Sequence, residues 1–409
     1  MVQEFVLAHE VQIIIGNCII PLDVFRVAVN AVHNLRRQLD EFDRESGYEV
    51  QQTRVNASLM SLLFSYREQY ALSTTQHCSQ DHGTAGITLG LCLVDSLQGR
   101  LCKDARDRIF GMLALAEDDF GIRPDYTLPL AALLNDFAKR SLLSGDLSVL
   151  HGSGIRPNHS SQLLSFVPSV EDWSGMTMPL HTPELHFSAS PSQLARVTCT
   201  SPGQISIKGV RVDEILRTMD IDFSQPAKFG ITSSSLADDF GSWYDSTQSK
   251  LESCTWSMPD RLYTFVPLGQ VFGRLLRLDR ESLTRTAMDY RLNSQPLPPL
   301  WSDATFLKNR VIFDTKTGFV GLGPRWMQPG DCIVIFDGGK TPFIIRKHAS
   351  TAGGFEPMWR LVGDCFLLDW MDGNCFGHTV VDKMSELEAG NDDARHKKKF
   401  LLRESFALC

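Results

Sequence analysis

Several groups of residues in this chain have types and spacings that could do chemistry. His77-Cys78-Ser-Gln-Asp81-His82 brings two imidazoles, a thiol and a carboxylate close together, and these are zinc-ligand types. They are too close in sequence to converge on one ion without a contorted loop. No second ligand pair with zinc spacing stands elsewhere, so we read an ordinary surface loop and expect no metal. Gly318-Phe-Val-Gly-Leu-Gly323 imitates a dinucleotide-binding loop. Pro324 and a turn follow it, not a helix whose N-terminus could hold a phosphate, so the glycines are read as hairpin and bulge positions. Arg106-Asp107 could form an acid/base pair, but a structural ion pair at a helix start is the preferred reading. His151 closes a short apolar run, where it is read as a packed or surface residue. Arg325, Arg346, Asp331 and Asp364 are the charged residues nearest strand ends, and salt links that close a barrel are their preferred role. Gly-x-Ser-x-Gly, P-loop and Rossmann patterns are missing. No catalytic residue and no cofactor are assigned.

The elements that must position these residues are clearest between Arg310 and Phe376. Arg310-Val-Ile-Phe-Asp-Thr315, Cys332-Ile-Val-Ile-Phe336, Phe343-Ile-Ile-Arg346 and Trp359-Arg-Leu-Val-Gly-Asp364 are runs rich in Val, Ile and Phe. Pro329-Gly-Asp331 opens one of them and Asp337-Gly-Gly339 turns another, so this stretch predicts a β-meander or small barrel. Gln204-Ile-Ser-Ile-Lys-Gly-Val-Arg-Val-Asp-Glu-Ile215 alternates, with Ile205, Ile207, Val210 and Val212 turned to a core.

The N-terminal half reads differently. Val11–Ile15 predicts a buried strand before the turn Gly16-Asn17. Val24, Val27, Ala28, Ala31, Val32 and Leu35 then recur at helical spacing, and Leu59, Leu62, Leu63 and Tyr66 repeat it. Asp104 is placed to cap a helix burying Ile109, Phe110, Leu113 and Ala116. Asp125-Tyr-Thr127 is placed to cap another, with Leu130, Leu133, Leu134, Phe137 and Leu142 as its stripe. Leu147–Gly154 predicts a strand, 174–203 an irregular loop, and 235–292 a helical region. After Asp382 the chain turns charged and lacks a core pattern, which predicts a mobile tail.

The fold class expected is α+β: a helical N-terminal half with a few strands, then an antiparallel β-module. The expected divisions are a mainly helical region over 1–150, a mixed region over 151–299, the β-module over 300–382 and the tail over 383–409.

Bulk properties narrow the function classes. With 43% hydrophobic and 22% charged residues in 409, this is the composition of an ordinary globular protein. A net charge of −8 and a pI near 5.8 give no footprint for nucleic acid or an anionic membrane. No signal peptide or bilayer-length apolar run is evident, and the ten cysteines are scattered. We expect a cytoplasmic protein with reduced thiols.

Certain motifs resemble a known family. Arg-x-x-Phe-x-Thr-x-x-Gly-x-x-Gly-x-Gly-Pro from Arg310 is followed by Pro329-Gly330-Asp331-x-Ile and Pro342-Phe-x-x-Arg346. Leu361-Val-Gly363-Asp364-Cys-Phe and Met371-Asp-Gly373 complete the series, and the whole is similar to the tail of fungal heterokaryon incompatibility (HET) proteins. Phe366-Leu-Leu-Asp369 and Asn374 depart from the Tyr-x-x-Gly and Glu that the family usually carries there. A second series, Arg106-Asp107-x-Ile-Phe, Pro124-Asp125-Tyr126 and Asp136-Phe-Ala, resembles another family signature. The strand carrying Gly209 and Asp213 matches a third. Gln3, Glu4, Gly318, Gly321 and Gly330 are further matching positions, all read as structural.

In the family, Val-Gln-Glu follows the end of the HET domain. The resemblance therefore implies a chain lacking most of that domain, and with it any NAD-cleaving activity of the kind known for TIR-like relatives. It implies a non-catalytic accessory part of a protein of non-self recognition and programmed cell death. Its expected partners are other HET-type proteins or further copies of itself, with no nucleic acid and no membrane. The alternative is a small-molecule binder or enzyme that has reused the scaffold, for instance in specialised metabolism. An exposed apolar patch near residues 1–15 favours the first reading, and a deep pocket beside the β-module the second.

Overall fold

The computed structural model describes residues 2–31, 60, 63–64, 66–68, 70–71, 102–116, 119–156, 162–169, 180, 187–190, 194–201, 203–219, 309–348, 357–368, 370–373, 380–381 and 401–409. The loop His77–His82 and the helical region expected over 235–292 lie outside them. By its contacts the chain forms two units, Met1–Leu128 and Pro129–Cys409. The α+β class holds, with helices in the N-terminal half and a mostly antiparallel C-terminal sheet.

In the first unit the helix Val2–Leu7 leads into a hairpin of β1 (Gln12–Ile15) and β2 (Cys18–Pro21), joined through Gly16 at φ +60°. Helical residues follow over 22–31, and further ones stand between 60 and 71. Val29 and Phe64 form a small core with Phe5, Leu22, Phe25 and Met60 around it. Arg67 donates to the Phe5 carbonyl at 2.7 Å and to Val6 at 3.2 Å, satisfying acceptors that a helix end leaves open. Asp104 accepts from the Arg106 N–H at 3.0 Å, but the helix behind it runs just from Asp107 to Phe110 before the chain passes into turns.

The larger unit is built on β4 (Gln204–Met219), whose sixteen residues are enough to serve two sheets. Its middle pairs with β7 (Cys332–Phe336), its end with β5 (Arg310–Thr315), and register shifts near Asp213 and Ile215 turn it from one to the other. From β7 the sheet continues antiparallel through β8 (Phe343–His348) to β9 (Met358–Asp364). β12 (Leu401–Leu408) joins β9 in parallel and β4 antiparallel. The circuit β4–β7–β8–β9–β12 is thus closed: a barrel. On its flank β5, β6 (Val320–Pro324) and β10 (Phe366–Leu367) extend a side sheet from the far end of β4. β3 (Val197–Ser201) pairs with the start of β4, and β11 (Val380–Val381) lies parallel to β12. β4 therefore comes from the stretch 151–299 and β12 from 383–409, yet both are barrel strands.

The alternation in β4 delivers Ile205, Ile207, Val210 and Val212 to the core, all buried. β5, β6 and β7 are buried at every position, as their unbroken apolar runs require. The helix Leu130–Leu143 buries Leu133, Leu134, Phe137 and Leu142, four of the five stripe residues expected. Asp125 does not cap it. Its carboxylate holds the N–H and hydroxyl of Thr127 in a turn, and the helix begins behind Pro129.

Three other expectations are corrected. Residues 401–408 are not tail but the barrel's closing strand, because Phe406 and Leu408 supply an apolar face that the charged stretch before them hides from a window average. Leu147–Gly154 is no strand: Ser148–Gly152 is a turn of 3₁₀ helix, started where Asp146 accepts from the N–H and hydroxyl of Ser148. The β1/β2 hairpin is not buried, its positions being mostly exposed.

Candidate functional site

The strongest assembly of charged groups lies inside the larger unit. Arg310, at the start of β5, sends Nη2 to Asp364 Oδ1 at 2.6 Å and Nη1 to the Asp364 carbonyl at 2.9 Å. His151, on the 3₁₀ turn, places Nδ1 3.0 Å from Asp364 Oδ2, which also accepts from the Leu180 N–H at 2.9 Å. All three side chains are sealed, at 1%, 0% and 3% exposure for Arg310, Asp364 and His151. Burial by itself would raise the Asp364 pKa. The guanidinium, the histidine and the Leu180 N–H outweigh it and hold the group at about 2.

A histidine oriented by a carboxylate has the parts of a general base, but a base must reach the proton it removes. Here the carboxylate already faces a guanidinium, and the ring packs 5.2 Å from Phe343. The group instead pins segments far apart in sequence onto the end of β9. Ser153, beside it, donates through its hydroxyl to Val149 and Phe166 carbonyls, and Ile155 N–H donates to Leu361 O at 2.9 Å. Sequence reasoning placed Asp364 near a strand end but missed Arg310 as its partner and gave His151 no role. The available signal was an arginine opening the apolar run Val311-Ile-Phe313.

Other charged motif residues are likewise brought together in pairs. Arg346 grips Asp331 through Nε and Nη2 at 2.7 and 2.8 Å, and Nη2 also donates to the Trp326 carbonyl at 2.8 Å. Asp331 also accepts from the Gln328 N–H at 2.7 Å, which closes the turn through Gly330. Asp213, brought inward at the β4 irregularity, accepts from the Thr317 N–H at 3.0 Å and from its hydroxyl. That bond fastens the β5–β6 turn, where Gly318 takes φ +97°. Arg217 Nε meets Asp314 at 3.0 Å. Arg325, by contrast, is exposed.

Gly209 stands opposite Phe336, and Gly363 adjoins Asp364 in β9. Gly321 lies opposite Phe313 and Leu367, where a Cβ would come 2.4 Å from the Phe366 carbonyl oxygen. Met371 is buried and its carbonyl accepts from the Ser188 N–H at 2.8 Å; Gly373 follows at the end of that turn.

The first unit gathers the second motif at its surface. Arg106 chelates Asp104 at 2.9 and 2.7 Å, donates to the Tyr126 and Leu128 carbonyls, and lies 5.5 Å from the Tyr126 ring centre. The Tyr126 hydroxyl donates to Asp107 at 2.5 Å, a bond that raises its pKa. The hydrogen bond from Arg106 lowers that of Asp104. Pro124 and Asp125 lead into this knot from the preceding turn. On the helix Val2–Leu7, Gln3 reaches the Phe110 carbonyl at 3.5 Å, and Glu4 is exposed.

A different feature stands at residues 14–27. The stripe expected to face a core is not the face that packs. Leu22, Phe25 and Val29 turn inward, while Val24 and Val27 are exposed at 53% and 66%. In the hairpin just before them Ile14, Ile15 and Ile19 are 66%, 56% and 64% exposed. The hairpin Gln12–Pro21 carries no charged residue.

Among the described residues no group of three or more His, Cys, Asp and Glu is placed to hold a metal, and no helix is long and apolar enough to cross a membrane.

Comparison with known proteins follows the fold. The Het-6 beta-barrel domain matches residues 303–380. Heterokaryon incompatibility protein 6, OR allele, of Neurospora crassa is 23% identical over 340 residues, covering 66% of this chain and 48% of that protein. The chain thus spans about half the length of the curated relative it matches. No solved structure matches it. The domain match takes in β5 to β10 and ends at the first residue of β11, whereas β4 and β12, which close the barrel, lie outside it. In its Het-6 barrel and in this relative, the chain is similar to the heterokaryon incompatibility (HET) proteins.

Proposed function

We propose that this chain is a recognition component of fungal vegetative incompatibility, working in the cytoplasm by contact with partner proteins and not by catalysis. The partners are other HET-type proteins or further copies of the chain, and the outcome of recognition is programmed cell death. The relationship to a heterokaryon incompatibility protein supports the process. The observation that carries the mode of action is the apolar strip at 14–27, with Ile14, Ile15, Ile19, Val24 and Val27 all turned to solvent. Exposed large apolar side chains are costly in an isolated protein, and where several gather in one segment they mark interaction sites. Charges, the usual protection of a strand edge, are missing from this hairpin. The charged groups of the barrel, by contrast, face one another: Asp364 meets Arg310 and His151, and Asp331 meets Arg346.

The test is the double substitution Ile14→Lys and Ile19→Glu, which puts an opposite-charge pair at directly opposed positions of the hairpin. Both side chains are exposed, so the fold and its melting temperature should be retained. In a fungal strain whose incompatibility reaction depends on the intact gene, the variant should abolish that reaction. A folded variant that still triggers it at full strength would remove the strip from the mechanism.

A further inference from the structure

The barrel is completed by a strand remote from it in sequence. β12 lies antiparallel to β4 from Arg403 opposite Val210 to Leu408 opposite Ile205. It meets β9 in parallel through Ala407 and Leu408. Without β12, β4 and β9 would present two facing, unpaired edges. Between them is an apolar slot: Phe406 and Leu408 are buried, and the Phe406 ring lies 5.9 Å from Phe336 and 6.1 Å from Trp359. Beyond the strand the main chain is held too. Cys409 N–H donates to the Trp359 carbonyl at 3.0 Å, and Ser165 N–H donates to the Cys409 carbonyl at 3.1 Å. The slot selects an extended segment with an aromatic and an aliphatic side chain two residues apart, the recognition mode of strand addition.

We propose that this slot is a strand-binding site whose occupant exchanges between molecules. The segment Leu401–Leu408 of a second copy of this chain enters it, giving a strand-exchanged dimer. The second copy is the fitting occupant because its segment repeats every side chain that the slot buries, so exchange preserves the contacts and alters the connection alone. Reach permits it. Residues 382–400 join β11 to β12, and a chain of that length spans up to about 60 Å when extended. Outside the barrel, β12 is tied to its own chain by the short pairing of Val380 and Val381 with Leu401 and Leu402. Ser405, on the face opposite Phe406, is exposed, so the strand keeps a polar outer face to water in either molecule.

Lys208 and Ser405 supply the test. They are directly opposed in the β4–β12 register and both are exposed. Opposed antiparallel residues stand about 4.5–5.5 Å apart at Cα, within the span of a disulfide. In a full-length background with the exposed Cys18, Cys102 and Cys199 replaced by serine, Lys208→Cys and Ser405→Cys are made singly and together. Each protein is incubated and then oxidised over a wide range of concentration. The expected result is a covalent dimer from the double variant, its fraction rising several-fold with concentration. Mixing the two single variants should give the same dimer, with the 208–405 linkage identified by mass spectrometry, and neither alone should give it. A cross-link confined within single chains at every concentration, with none from the mixture, overturns the proposal. So does the absence of any 208–405 linkage, since β12 then does not occupy the slot in this register.

Discussion

Asp364 concentrates what this protein asks of single residues. A carboxylate with no exposure survives because Arg310, His151 and the Leu180 N–H all address it. Removing its charge leaves Arg310 buried without a counter-ion, which costs about 3–5 kcal/mol. Asp364→Asn should therefore lower the unfolding free energy of the larger unit by that amount, as measured by equilibrium denaturant unfolding. The pH dependence follows with a definite sign. The folded pKa of about 2 lies below the ordinary value of 3.8, so the contribution is fully present above the unfolded pKa and is lost as pH falls from about 4 through 2. The acid limb of the unfolding curve should be steeper in the parent than in Asp364→Asn.

Thiols give a second test at this scale. Burial pushes the Cys332 thiol up to about 11, and burial with the neighbouring Asp364 charge raises Cys365 further from reactivity. An alkylating reagent at neutral pH should modify the exposed Cys18, Cys102 and Cys199 first. Cys332 and Cys365 should react upon unfolding, as peptide mass mapping would show.

Among the elements, β4 has the widest reach, because its register shifts allow one strand to serve both the barrel and the side sheet. The side sheet depends on a close approach at Gly321, where an added Cβ would stand 2.4 Å from both the Phe313 ring and the Phe366 carbonyl. The carbonyl is main chain and cannot swing aside. Gly321→Ala should destabilise the larger unit by about 1–3 kcal/mol through overpacking, readable as a fall in melting temperature. Elements also set the limit of periodicity. In the helix over 22–31 the spacing of Val24 and Val27 was legible, but periodicity states that a face is apolar and not what covers it. Two apolar stripes share that short helix, and the one holding Phe25 and Val29 won the contact with Phe64.

For the molecule as a whole, barrel closure matters most. The domain match ends at residue 380, short of β12 and well after β4. A protein made of residues 303–380 alone would hold β7, β8 and β9 without either closing neighbour. It should show no cooperative thermal transition by circular dichroism, whereas residues 129–409 should unfold cooperatively. Equal cooperativity in the two would show that the closing strands are dispensable.

What the sequence by itself determined is local in origin. Alternation in Gln204–Ile215, the unbroken apolar runs from Arg310 onward, and the glycines at 318 and 330 specify strands and turns through neighbours a few residues away. Motifs on those strands resemble the HET proteins, and the Het-6 beta-barrel match falls on the same stretch. Tertiary structure decided everything that depends on distant partners. Asp364 finds Arg310 and His151 across 54 and 213 residues respectively. An eight-residue strand beyond a charged stretch was recruited to close the barrel because β4 and β9 offered it two edges and an apolar slot. Hydrogen-bond pairing and burial are settled by which edges meet in space, and spacing along the chain does not record that.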